Sequence, residues 1–410
     1  MKEKIRHQIE FAYRLSYEDL NEDTKERVKE VILDSIGCIA LGKNKNIQGS
    51  LEDRIFDYAR AMVSTELYEG NRFAIGHPAI HIMPVMLAVC GEENVFSKRF
   101  ITVFAAAYEI AARWGASIAF SNTILGHGTV MTAAAAVAYG LLTGADEEEL
   151  YEAVLIAASL PCVSVWQSVF DGSELHDCYT GLAGMIGVRA VKMAQEGVRC
   201  TEEMVKEVYE TVMGATLRLE NMDKGLGEDF WINRNYFKIH TGCRFIHPFA
   251  DILSGLMEEG LTADEVERME VYTYKKAARL TAQAAQSEVE AKFSTPVSLA
   301  ILLYCGKLTH TSVHEYIANE TVKELAHRIF LMEEDVYNRL LPDKRGGRLV
   351  VYKKNGEILK REVFHAKGDY DNPHAFTQTD VIAKFRDNTA GRMPKEQQDE
   401  WIALLTPESI

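Results

Sequence analysis

The chain has 410 residues, with 45 basic and 60 acidic side chains and a formal net charge of −15. A 47% hydrophobic, 26% charged composition excludes a disordered chain, and the length suits two domains. The acidic balance excludes nucleic-acid and anionic-membrane binders, which need a basic face, so cations for an anionic ligand must be gathered locally in a pocket.

Taken in order, Met1–Arg6 is charged and leads into no apolar run, so it does not read as a secretory signal. Asn21-Glu22-Asp23 is a helix-start signal, and Val28, Val31, Ile32, Ile36 and Ile39 follow at helical spacing, with Gly37 and Gly42 loosening and ending the run. The spacing predicts further helices over Ile101–Trp114 and Thr132–Leu142, the latter apolar all round and hence buried on every side. Gly144-Ala145-Asp146 starts another. Gly181, Gly184, Gly187 and Ala190 put small residues at every third position, which implies close helix–helix contact.

The character changes near residue 240. Met269–Tyr274 alternates like a strand, and Leu349–Val363 reads as a hairpin turning at Asn355-Gly356. Pro296–Tyr304, Thr311–Arg328 and Thr379–Asn388 read as helical, the last as a tail packing back on the first domain. The fold class expected is mainly α. A large all-helical domain (1–240 plus 375–410) carries a smaller α+β lid domain (241–374) inserted near the C-terminus.

Seven scattered cysteines without a CxxC pair are no disulfide framework, which points to a reducing cytoplasm. The longest apolar runs fall short of the ~18 residues a membrane span needs. No complete GxGxxG, Walker A, zincin or Gly-x-Ser-x-Gly motif occurs; neither an organic cofactor nor a metal is expected.

Four segments gather His, Lys, Arg or Cys beside Gly or Pro where helices begin or end. They are Glu66–Arg72 with Gly76-His77-Pro78, Gly126-His127-Gly128-Thr129, Ser173–Gly181 around His176, and Tyr236–Pro248. Helix N-termini favour carboxylates, and histidines there can shuttle protons. Each residue also has a plain structural reading: His77 as a cap, His176 satisfied by Glu174 and Asp177, Lys238 and Arg244 as a solvated face, Cys243 as a small buried residue, His240 and His247 as structural. Without more, the residues indicate a helical enzyme acting on an anion.

In order along the chain, these segments resemble the MmgE/PrpD family. Ile32-Leu33-Asp34-Ser35-Ile36-Gly37 resembles its early "LLDSLG" helix, and Gly76-His77-Pro78 with Pro84 and Ala88 its "GHP" element. His127-Gly128-Thr129 before the alanines, Tyr179-Thr180-Gly181, Lys238 with Cys243-Arg244 and His247-Pro248, and Ala291–Ser294 resemble its later motifs. The resemblance implies a homodimer and cofactor-free chemistry, in which a proton is moved at carbon next to a carboxylate. It implies His127 as the main acid/base with His77 as partner. Lys238 and His176 would neutralise substrate carboxylates, Glu66 or Glu69 would be the carboxylate base, and Cys243 would be a further acid/base. Asn71, Arg72, Thr129 and Arg244 complete the expected substrate contacts. Four positions depart from the pattern: Leu67 replaces an Asp, His176 a Lys or Arg, Cys243 a His and Val297 a Tyr. The expected activity is a hydro-lyase on a small di- or tricarboxylate. The alternatives are an isomerase or epimerase of a dicarboxylate or imino-dicarboxylate, using His127 with Cys243, and an inactive carboxylate-binding relative.

Overall fold

The computed structural model describes residues 1–42, 46–403 and 405. Helix occupies 57% of it, well above the roughly one-third usual in globular proteins, so the chain is mainly α. Helices Glu22–Gly42, Leu51–Ser64, Ala79–Cys90, Lys98–Ser117, Thr132–Thr143 and Tyr179–Gln195 surround one hydrophobic core that includes Ile32, Met83, Phe104 and Ala134. Ala133–Ala138 are all buried, which follows from their having no polar face to present. Helix Gln378–Thr389 packs back onto Glu22–Gly42, adding Val381 and Phe385 to this core. Gly37 does not break the long helix. It lies inside it, and a Cβ there would come within 3.2 Å of the Phe385 ring.

A second core, with Phe249, Val271, Leu302 and Val351, lies between helices and a four-stranded sheet. The strand order is Ile358–Val363, Gly347–Lys353, Val266–Thr273, Ile329–Glu333, antiparallel except for the last pair. The hairpin has Ile358 opposite Tyr352, and Gly356 takes the left-handed φ of +87° that its turn requires. The stretch expected as one helix over 311–328 is two, His310–Tyr316 and Glu320–Ala326. Asn319 caps the second by accepting the Val322 N–H, which competes with helical continuation. Among the described residues, no helix is long and apolar enough to cross a membrane.

The glycine stripe is used as its spacing implies. A Cβ on Gly181 would come within 3.0 Å of Phe56, on Gly184 within 2.6 Å of Ile55, and on Gly187 within 2.7 Å of Ala135 and 2.8 Å of the Ala136 backbone. Gly187→Val should therefore cost about 1–3 kcal/mol of stability by overpacking, read as a lowered urea midpoint. An unchanged midpoint would mean that these helices can part freely.

Candidate active site

The site is built where an irregular segment leaves a helix. Helix Leu51–Ser64 ends at Thr65, and Glu66 takes φ +48°, a left-handed conformation that costs a non-glycine residue about 1 kcal/mol. Residues 70–71 then pair antiparallel with 235–236, with Gly70 opposite Tyr236. This pairing brings the Glu66–Glu69 segment beside Lys238.

The Glu66 carboxylate is the meeting point. Lys238 Nζ donates to Oε2 at 2.8 Å and to the Glu66 carbonyl at 3.1 Å. His176 Nε2–H donates to Oε1 at 2.8 Å, and the Tyr68 hydroxyl donates to the same oxygen. Burial opposes ionisation, but Lys238 and His176 overcome it and hold the carboxyl well below its ordinary range. An ionised carboxylate only accepts, so Tyr68 gives it its one proton. The Tyr68 oxygen, 3.1 Å from His127 Nε2, must then accept, which places the imidazole proton on Nε2 and leaves His127 Nδ1 as the free lone pair.

His77 is fixed in the opposite sense. Its Nδ1–H donates to the Glu69 carbonyl at 2.7 Å, leaving Nε2 free. Below it, His81 donates from Nδ1 to the His77 carbonyl at 3.0 Å and accepts the Gly128 N–H on Nε2 at 2.8 Å. Gly128 has φ +76°, and a Cβ there would lie 2.6 Å from the Tyr179 carbonyl oxygen, so only glycine brings this backbone to His81. The His77 and His127 ring centres are 5.2 Å apart. Burial keeps both neutral: His77 is pushed down to about 3, and His127 goes well below its ordinary value, with His176 adding to the effect. Each neutral imidazole keeps one free nitrogen, which can accept a proton or a hydrogen bond from a substrate beside the pair.

The structure thus brings His77, His127, Glu66, Lys238 and His176 together, with several roles corrected. Glu66 is a poor base, since both its oxygens are engaged and its carboxyl is held low. Glu69 accepts the Ala79 N–H and the Tyr108 hydroxyl, and burial pushes its carboxyl up to about 8; it supports the fold beneath His77. Lys238 pairs with Glu66 and His176 donates to it, and neither exposes any surface. Cys243 is buried, its thiol pushed up to about 12, so it does not titrate usefully near neutrality. Neither Lys238 nor Arg244 is a solvated face. Arg244 is buried against Tyr236 and pairs with Asp369 at 2.9 Å, while Arg72 pairs with Asp371. The Asn71 side chain donates to the Trp231 carbonyl and accepts the Phe73 and Ala74 N–H groups, holding a turn. The Thr129 hydroxyl lies 2.9 Å from the Cys162 carbonyl and 3.0 Å from Ser164, locking its loop. Leu67 points its bulk into the core, and Val297 is a packed helix residue. Tyr68 and His81 escape a search by motif. Their signals are their spacing, Tyr68 two residues after Glu66 and His81 four after His77, in the first turn of helix Ala79–Cys90.

Glu66, His127 and His176 offer ligand atoms within 4.8 Å of one another, as do His365, Asp369 and Asp371. Both donor sets already carry cations. Lys238 occupies the first and Arg72 with Arg244 the second, so a divalent ion would meet unfavourable charge at close range. Asp177, next to His176 in the chain, lines a cleft of about 850 Å³ of mixed charge, in which Arg60 pairs with Glu174 and Lys292 with Glu288.

His81 gives this neutrality a readable signature. Burial lowers it to about 4 from an ordinary 6.5, so its contribution to stability is complete above 6.5 and is lost as pH falls through 4. The destabilisation caused by His81→Gln should be largest above pH 6.5 and shrink on acidification, in denaturant melts of both proteins across pH 4–8. A difference independent of pH would mean that His81 is not held neutral.

Compared with known families, residues 59–216 match the MmgE/PrpD N-terminal domain and residues 240–406 the MmgE/PrpD C-terminal domain. No curated protein matches the chain.

Proposed function

The chain belongs to the MmgE/PrpD family, a family of dehydratases and related enzymes, and from that premise we propose a cofactor-independent lyase of the hydro-lyase type. Its substrate is a small di- or tricarboxylate, from which a proton is removed next to a carboxylate. The observation that carries this reading is the pair of neutral imidazoles, His77 and His127, with ring centres 5.2 Å apart and oppositely fixed tautomers.

His127 Nδ1 takes the proton. The imidazolium that forms keeps its Nε2–H on the Tyr68 oxygen, whose own proton rests on the Glu66 anion. The positive charge is thus stabilised without a further proton moving. The same His127 Nδ1–H then returns the proton to the leaving hydroxyl, which departs as water, while the free Nε2 of His77 accepts a hydrogen bond from that hydroxyl and orients it. Arg60, Lys292 and Arg392 stand on the walls of the cleft, where an anionic substrate would compete with Glu174 for Arg60 and with Glu288 for Lys292. The isomerase or epimerase alternative would need a second group that enters protonated on the opposite face; both imidazoles enter neutral, which favours the lyase. We assign residues 1–240 and 375–410 to the helical domain and 241–374 to a lid, and place the enzyme in the cytoplasm.

Proton NMR in D₂O with a panel of hydroxy and unsaturated carboxylic acids tests the reaction. An olefinic product from a hydroxy acid identifies the hydro-lyase, whereas loss of a Cα–H signal with no olefin identifies the isomerase. His127→Ala should lower the rate at least a hundredfold, about 2.7 kcal/mol of transition-state stabilisation, while the protein still folds. An active His127→Ala protein would end the assignment. Leu160, Val163, Val165 and Leu175 are large apolar side chains left exposed, which supports a homodimer. Light scattering should give twice the chain mass, and a monomer at micromolar concentration would refute it.

A further inference from the structure

The Glu66 carboxylate lies in a cradle assembled from separate parts of the chain. Tyr68 comes from the irregular segment, His176 from the turn Glu174–Cys178 and Lys238 from the stretch after the Asn235–Tyr236 strand. These are the donors that an anionic ligand would need, namely an ammonium, an imidazole N–H and a hydroxyl, all converging on one carboxylate. The occupant is internal, and the backbone adopts φ +48° at Glu66 itself while delivering it. Lys238 exposes no surface and Glu66 is only 3% exposed, so the pair is closed to solvent. The charge count next to the two imidazoles follows. Lys238 is balanced by Glu66, and His77 and His127 are neutral. An added substrate carboxylate at this point would find its cation taken and a fixed negative charge in the way.

We infer that Glu66 is a specificity residue: its carboxylate fills, from within the chain, a cradle able to hold a substrate carboxylate, so the substrate reaching His77 and His127 is a dicarboxylate rather than a tricarboxylate. This rests on the acid/base reading of the site given above and narrows its substrate class. Leu67 stands where the family pattern has an acid, and the acid one residue earlier has turned inward to the cradle.

The test uses acetate as the probe and the full-length protein at constant ionic strength, with chloride as the control. Glu66→Ala empties the cradle and should bind acetate, by calorimetry and by thermal shift, at a concentration at least tenfold lower than the wild type does. Glu66→Ala/Lys238→Met should lose that gain. A folded Glu66→Ala protein with no gain would overturn the inference, as would a gain that survives in the double variant. If Glu66→Ala does not fold in chloride, it is refolded in acetate: folding that depends on acetate supports the inference, and failure in both salts overturns it. The assay needs no turnover. Acetate binding by Glu66→Ala with no substrate found in the NMR panel would retain the cradle and remove the proposed reaction, and the reverse pattern would do the opposite.

Discussion

The buried carboxylate of Glu66 is the constraint from which the rest of the site follows. An isolated buried anion costs several kcal/mol, and its burial is tolerable only with well-placed partners. Lys238, His176 and Tyr68 are those partners, and each comes from a different stretch of chain. The fold must therefore hold these stretches in register. The short pairing of 70–71 with 235–236 does so on one side. On the other, Lys384 of the returning C-terminal helix donates to the Leu67 carbonyl at 2.6 Å and reaches the buried Asp34 at 2.5 Å. Burial raises the Asp34 carboxyl and Lys384 opposes that rise, so the tail helix also secures the segment that carries Glu66.

From the carboxylate, order passes outward through hydrogen bonds whose direction is forced. Glu66 accepts, so Tyr68 must give its proton, so His127 must donate from Nε2. His77 is set independently by the Glu69 carbonyl, itself anchored because the Glu69 side chain holds Ala79 and Tyr108. Two imidazoles of the same intrinsic chemistry thus present different nitrogens. That asymmetry suits the proposed proton transfer, in which His127 Nδ1 takes and returns the proton and His77 Nε2 accepts a hydrogen bond from the substrate hydroxyl.

Much of this was legible in the residue pattern. Strong periodicity placed the long helices and the Asn355-Gly356 hairpin, because helix and turn preferences are local. The resemblance picked out His77, His127 and Lys238 at their motifs, and the structure sets them around one point. The roles of Arg72, Arg244, Asn71 and Thr129 were not legible. A side chain's type shows what it can bond to, and only packing shows whether it is already bonded. Each of these four has partners within the fold. The two-residue strands 70–71 and 235–236 were equally hidden, since two residues carry no period and their pairing spans more than 160 positions.

By itself, then, the sequence determined the helical class, the mixed helix–strand character after residue 240, the family and the three histidines, His77, His127 and His176, that the fold brings together. These are written in local spacing and in motifs short enough to read along the chain. Tertiary structure alone decided which carboxylate occupies the centre, which nitrogen of each histidine is free and which cations are already paired. Those outcomes depend on burial and on contacts such as those of Glu66 with His176 and Lys238, each more than a hundred positions from it and met only in the folded chain.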